Sequence, residues 1–175
     1  MNNPETTSAI NPIGKYTFPE HFTAEQRQAC IAEIRKFPQL LKNATAHLND
    51  AQLSLSYRVG GWSIRQLVHH CADSHMNAYV RTKLLLTEEN PTVKPYDENL
   101  WAALPDYTMS IHSSLAILEG LHERWANALE QATPNDYSKT YYHPQYQKTV
   151  TLDELISLYA WHGKHHLGQV LAAGV

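Results

Sequence analysis

Cysteine is scarce in this chain: only Cys30 and Cys71 occur in 175 residues. Two are too few for a disulfide framework. Both fall in helical patterns and read as small buried fillers in a reducing cytoplasm. Basic charge is not in surplus either. The 14 Lys and Arg are outnumbered by 17 Asp and Glu, for a formal net charge of -3. That balance argues against nucleic acid or an anionic membrane as a partner. No apolar run approaches the roughly 20 residues that span a bilayer. The opening stretch MNNPETTSAINPIGKYTFPE is polar and punctuated by proline. It has neither the basic end nor the apolar centre of a signal peptide, and reads as an arm over residues 1–20. Repeats and low-complexity tracts are missing. So are G-x-S-x-G and any Ser-His-Asp set, so a nucleophilic side chain is not indicated.

What remains is an ordinary globular composition, 43% hydrophobic and 18% charged, over a length that suits one domain, residues 1–175. Four helical segments stand out. The first runs from the N-cap Thr23 to about His47, with Cys30, Ile31, Ile34, Leu40, Leu41 and Leu48 as its stripe and Pro38 as a kink or break. The second opens at Ser63, with Gln66 completing a capping box, and continues to about Thr87. The third covers about Ser110 to Ala132, with Ile111, Leu115, Leu118, Trp125 and Leu129 on one face. The fourth starts at Thr151, capped with Glu154, and ends near Gly174. Residues 88–108 form a long Pro-containing loop with a helical turn near 98–104, and a loop of that length is often functional. Residues 137–150 read as a small β-hairpin. The expected architecture is an all-α four-helix bundle with long crossover loops.

Against these absences stands an abundance: 11 histidines. Histidine is the commonest metal ligand and the usual acid or base near neutral pH. In the fourth segment, Leu152, Leu155, Leu158, Tyr159 and Val170 define the inward stripe. His162 and His166 fall on it or at its edge, about 40° apart and one turn along. His165 is rotated about 60° to the other side and points away. An i, i+4 histidine pair is the spacing by which two imidazoles of one helix reach one ion. A bundle site also needs a ligand from a facing helix. The second segment offers His69, His70 and His75. Its stripe of Ile64, Leu67, Cys71, Ala78 and Leu85 turns His69 away and leaves both His70 and His75 open. Asp73 can orient a ligand imidazole from behind, or be a surface carboxylate. His122, in the middle of the third stripe, can be a core histidine, a supporting group or a further ligand. Each histidine taken singly can also be a core residue satisfied by a carbonyl. Two His-bearing faces in one bundle make that less economical, because buried imidazoles need partners.

The stretch GGWSIRQLVHHCADSHMNAYVRTKLLLTEENPTVKPYDENLW, then LHERW, YYHP and LYAWHGKHH, resembles the YfiT-like branch of the DinB superfamily. The likeness runs from PIGKY at residue 12 into the fourth segment. That superfamily places its first ligand eight residues after the Trp of a WS helix start, as Trp62 and His70 stand here, and completes it with HxxxH, as His162 and His166 stand. The resemblance therefore implies His70 rather than His75 as the third ligand. It further implies one divalent metal ion per subunit, a cytoplasmic homodimer, and either hydrolysis or transfer of a low-molecular-weight thiol such as bacillithiol. Three neutral imidazoles leave coordination positions open and the ion's charge undiminished, which suits activation of water or of a thiol. All-nitrogen ligation suits zinc first, with nickel an alternative. A small-molecule substrate is expected, with Tyr96, Asp97, Trp101 and His143 at the pocket rim. A non-catalytic metal-binding bundle is the third reading.

Overall fold

The computed structural model describes residues 9–174. Four long helices dominate it: α1 (Ala24–Thr45), α3 (Ile64–Thr87), α5 (His112–Glu130) and α6 (Leu152–Ala172). Short helices α2 (Asp50–Leu53) and α4 (Glu98–Ala102) lie in the connections. Three long helices begin with capping boxes: two as expected from sequence, and one at Thr23, where only an N-cap was expected. In each, the cap residue (Thr23, Ser63 or Thr151) accepts from the backbone N–H three positions on, and Gln26, Gln66 or Glu154 reaches back. These reciprocal bonds satisfy backbone donors that a helix start would otherwise leave bare.

Helix α1 packs against both α5 and α6, and α3 packs against the same two. Consecutive helices α1 and α3 therefore occupy opposite corners, as do α5 and α6. That arrangement requires long crossings between them. One crossing, from α3 to α5, carries α4 and a 3-10 turn at Pro105–Thr108. It is pinned to the hairpin β1 (Thr140–His143) and β2 (Lys148–Thr151) through Val93 N–H to Tyr142 O at 3.0 Å and Tyr142 N–H to Pro91 O at 2.9 Å. The strands pair antiparallel, His143 opposite Lys148. At the start of α6, just after β2, Arg27 clamps Asp153 through two hydrogen bonds of 2.6 and 2.7 Å. None of the described helices is long and apolar enough to cross a membrane.

The core falls into two clusters. One centres on Trp125, with Ile31, Ile34, Leu129, Leu155 and Ile156; the other on Phe37, Leu41, Ile64, Leu67 and Leu118. Trp125 is fully buried, and its indole N–H donates to Thr82 Oγ1 at 3.0 Å, so the core carries no unmet donor there. One expectation for α1 fails, and of the kink or break expected at Pro38 the break does not occur. Leu40 is exposed, and Phe37 takes its place in the core. Pro38 does not break the helix, which runs on to Thr45 with Pro38 buried inside it.

The described part of the N-terminal arm lies along α6. Ile10 O accepts from Gln169 Nε2 at 3.2 Å, and the Tyr16 hydroxyl donates to Glu154 O at 3.3 Å.

Candidate metal centre

Helices α3 and α6 face each other, and three histidines meet between them. His70 Nε2 lies 3.3 Å from His162 Nε2, and His166 Nε2 lies 3.1 Å from the same atom. One nitrogen from each ring falls within 4.8 Å of the other two. Burial strips these rings of any tendency to carry charge. It holds His70 down at about 4, and holds His162 and His166 well below the ordinary histidine range, with neighbouring imidazoles adding to the effect. The rings are therefore neutral near pH 7.

Which nitrogen of each ring carries its proton follows from the hydrogen bonds behind the site. His122 Nδ1 bonds the backbone carbonyl of Ile34. A carbonyl only accepts, so His122 Nδ1 carries the proton. Its Nε2 is then an acceptor and takes the Nδ1–H of His75 at 2.9 Å. His75 Nε2 in turn takes the Nδ1–H of His162 at 3.0 Å. The proton of His162 is thereby fixed away from the site, and Nε2 presents a lone pair. The Ile34 carbonyl is available because residue 38 is proline. The N–H that would normally fill it does not exist.

A second chain fixes His166. Gln169 Nε2 donates to Ile10 O, which sets the amide's orientation. Gln169 Oε1 then accepts from His166 Nδ1 at 2.8 Å, again leaving Nε2 bare. His70 has no such support. Its Nδ1 is buried with no partner among the described residues, and the ring rests against Trp62 at 4.7 Å.

Two lone pairs fixed by independent chains thus converge, with His70 completing the cluster. Without a cation between them they repel. Ligand nitrogens of a tetrahedral site with bonds of about 2.0–2.1 Å stand roughly 3.3–3.4 Å apart. The separations of 3.1 and 3.3 Å fit that spacing to within a few tenths of an ångström. The residues present suit a divalent ion. Gly163 permits the packing behind them: a Cβ there would come within 2.9 Å of the Phe37 ring, which stacks on His75 at 5.0 Å.

Other histidines fall differently from expectation. His69 turns away from the cluster but is buried, bonded to Ser114 Oγ at 2.7 Å and Met109 O at 3.2 Å. His165 also points away but is buried, stacked on Trp161 and bonded to Gln169 Nε2. Asp73 does not orient a ligand. Its carboxylate accepts from the Tyr107 hydroxyl at 2.7 Å, and the supporting role falls to His75, His122 and Gln169.

A cavity of about 740 Å³ opens beside His162. Ser74, Arg81, Tyr96, Tyr141, His143 and Tyr159 are among its lining residues. Of the expected rim, Tyr96, Asp97 and His143 line it. Trp101 instead packs behind Tyr96, with ring centroids 4.3 Å apart. Asp97 also caps α4, accepting from the N–H groups of Asn99 and Leu100. Sequence reasoning missed Gln169, Arg81 and Glu98. Glu98 Oε2 lies 4.0 Å from His70 Nε2; its side chain is half exposed, and partial desolvation with the Asp97 charge raises its carboxyl. Gln169 was detectable, three residues after His166 on the same helix face. So was Arg81, eleven residues after His70 on the same stripe. Glu98 was not, because the path of its loop has no local signature.

Known proteins resemble this chain in sequence and in fold. The DinB superfamily profile matches residues 24–170. A protein of Oceanobacillus iheyensis called a "putative metal-dependent hydrolase" is 48% identical over 159 residues, which cover 91% of this chain and 92% of that one. A Bacillus pumilus protein of the same description is 46% identical over 164 residues, covering 94% of each. Among solved structures, YfiT from Bacillus subtilis superimposes with a TM-score of 0.92 at 41% identity, covering 95% of both chains. It is described as "a probable metal-dependent hydrolase with an unusual four-helix bundle topology". A mycothiol-dependent maleylpyruvate isomerase matches at a TM-score of 0.66 and 18% identity, over 85% of this chain and 61% of that one, and shares the fold alone. From the WS helix start to the last histidine of α6, the chain belongs to the DinB superfamily.

Proposed function

We propose that this protein is a metal-dependent hydrolase of small molecules, with His70, His162 and His166 as the ligands of one zinc ion. The observation that carries this reading is the pair of hydrogen-bond chains that fix the Nε2 lone pairs of His162 and His166 toward one point. A zinc ion held by three neutral imidazoles supplies Lewis acidity and a lowered pKa for water. The protein supplies the rest. The cavity admits a substrate to the His162 side. Glu98 Oε2 is the carboxylate placed to take a proton released from water, and partial desolvation with the nearby Asp97 charge raises its carboxyl. Ser74 Oγ and the Tyr159 hydroxyl, 3.3 Å apart, offer hydrogen bonds to a substrate's polar atoms.

Elemental analysis of tag-free protein tests the reading. One equivalent of metal is expected in the wild type and a loss of it in His70→Ala, His162→Ala and His166→Ala. A metal-free wild type would sink both the ion and the hydrolysis. A panel of ester and amide probes, run with and without an added thiol, separates hydrolysis from S-transfer: turnover that requires the thiol favours transfer. The homodimer and the cytoplasmic location belong to the family resemblance, and light scattering checks the first.

A further inference from the structure

Arg81 sits on α3 with only 9% of its surface exposed. Among the described residues it has neither a salt bridge nor a side-chain hydrogen bond. Its nitrogens are not sealed off, but a guanidinium with so little access to water normally has a counter-charge. Of the carboxylates that line this cavity, two are committed elsewhere, and none bridges to Arg81 among the described residues. Glu154 binds Lys148 at 2.7 Å and the Thr151 cap, Asp97 caps α4, and Glu98 stands at the His70 end. Yet Arg81 faces open space. It lines the same cavity that reaches His162, and its charge acts on Tyr96, Tyr141, Tyr159 and His143 around that space. The wall is therefore one buried cation ringed by hydroxyl and imidazole donors.

We propose that the cavity recognises a carboxylate on its substrate, bound by the forked N–H groups of Arg81, with the reactive bond extending toward His162. The second half of that statement rests on the hydrolase reading; the carboxylate subsite stands without it. A carboxylate is favoured over a single-point anion because two coplanar oxygens match two parallel guanidinium donors. The cavity volume accommodates a ring-sized group attached to it.

The experiment compares benzoate with benzamide, which have the same shape and differ in charge. Calorimetry is done on full-length protein, zinc-loaded and chelator-treated, with metal content measured on each sample. Benzoate should bind at least about tenfold more tightly than benzamide in both samples, the discrimination expected of a charge-assisted pair. Arg81→Gln should erase the preference without changing metal content, and Arg81→Lys should retain part of it. If Arg81→Gln does not fold, the wild-type Arg81 Nε–H resonance decides, and should shift with benzoate but not benzamide. A preference that survives Arg81→Gln, or that disappears with the metal, would place the carboxylate on the ion and overturn the proposal. Phenyl phosphate binding more tightly than benzoate would overturn the carboxylate assignment. A wild type that lacks metal but prefers benzoate would instead remove the hydrolase reading and leave this subsite standing.

Discussion

The two sides of the histidine cluster are built on different principles. On α6, His162 and His166 are each tied through hydrogen bonds to a backbone carbonyl, Ile34 O and Ile10 O respectively. On α3, His70 has no hydrogen-bond partner behind the site among the described residues, only the Trp62 ring and the nearby Glu98. A backbone carbonyl is a fixed acceptor that cannot rotate or change protonation. A chain ending on one therefore dictates tautomer and ring orientation all the way to its other end. Packing alone restrains a ring but does not say where its proton sits. The comparison teaches that the α6 pair has its lone pairs set in advance, whereas His70 does not; on the proposed reading, His70 would complete the set when an ion binds.

The largest effect separates the two sides directly. Removing any of the three ligands should weaken zinc binding by more than about a hundredfold, since each ligand carries roughly 3 kcal/mol or more of a strong site. His162→Ala should lose more than His70→Ala, because it discards a prepared ligand. Competition against a chromophoric chelator measures both, and equal losses would break the comparison.

Next in size is a dependence on pH. Burial lowers His122 to about 4, against 6.5 unfolded. Between those values the unfolded chain binds the extra proton, so stability rises with pH across that window and falls as pH drops from about 6.5 toward 4. For His122 alone the span is about 3 kcal/mol. Urea midpoints of metal-free protein at pH 7.5 and pH 5 should show the fall, and His122→Leu should lessen it, the other buried histidines keeping the remainder.

The two supporting chains should matter less than the ligands. His122→Leu and Gln169→Leu should each cost about 10–100-fold in zinc affinity, the usual range for groups that orient a ligand. Both substitutions leave all three ligands in place, and the same chelator titration reads them. His75→Ala belongs with them, since His75 links His122 to His162. Unchanged affinity in all three would mean the chains are decorative. The smallest effect is expected at Asp73. Asp73→Asn should leave zinc affinity within experimental error, because that carboxylate serves Tyr107.

Much of this was legible in the sequence where the cause is local. A capping box links residues three apart and an HxxxH pair residues four apart, so Thr23, Ser63, Thr151, His162 and His166 announced themselves. His70 and His75 were harder. Periodicity puts both near the apolar stripe of α3, and both do approach His162: His70 at its Nε2, His75 at its Nδ1. Helix geometry cannot say which nitrogen each will meet. The supporting network was out of reach altogether. His122 and Ile34 are 88 positions apart, and Gln169 and Ile10 are 159 apart. His165 looked solvent-facing because a helix wheel does not know that another segment will cover that face.

Pro38 has a consequence for anyone who tries to improve this protein. A proline inside a helix forfeits a hydrogen bond and costs about 3 kcal/mol. A stability screen would therefore choose residue 38 early and replace it with alanine. The new N–H would compete for the Ile34 carbonyl and loosen the anchor of His122, and with it the orientation of His162. A tougher scaffold would be obtained at the expense of its hold on the ion, a stability–function trade-off located at a single position outside the ligand set.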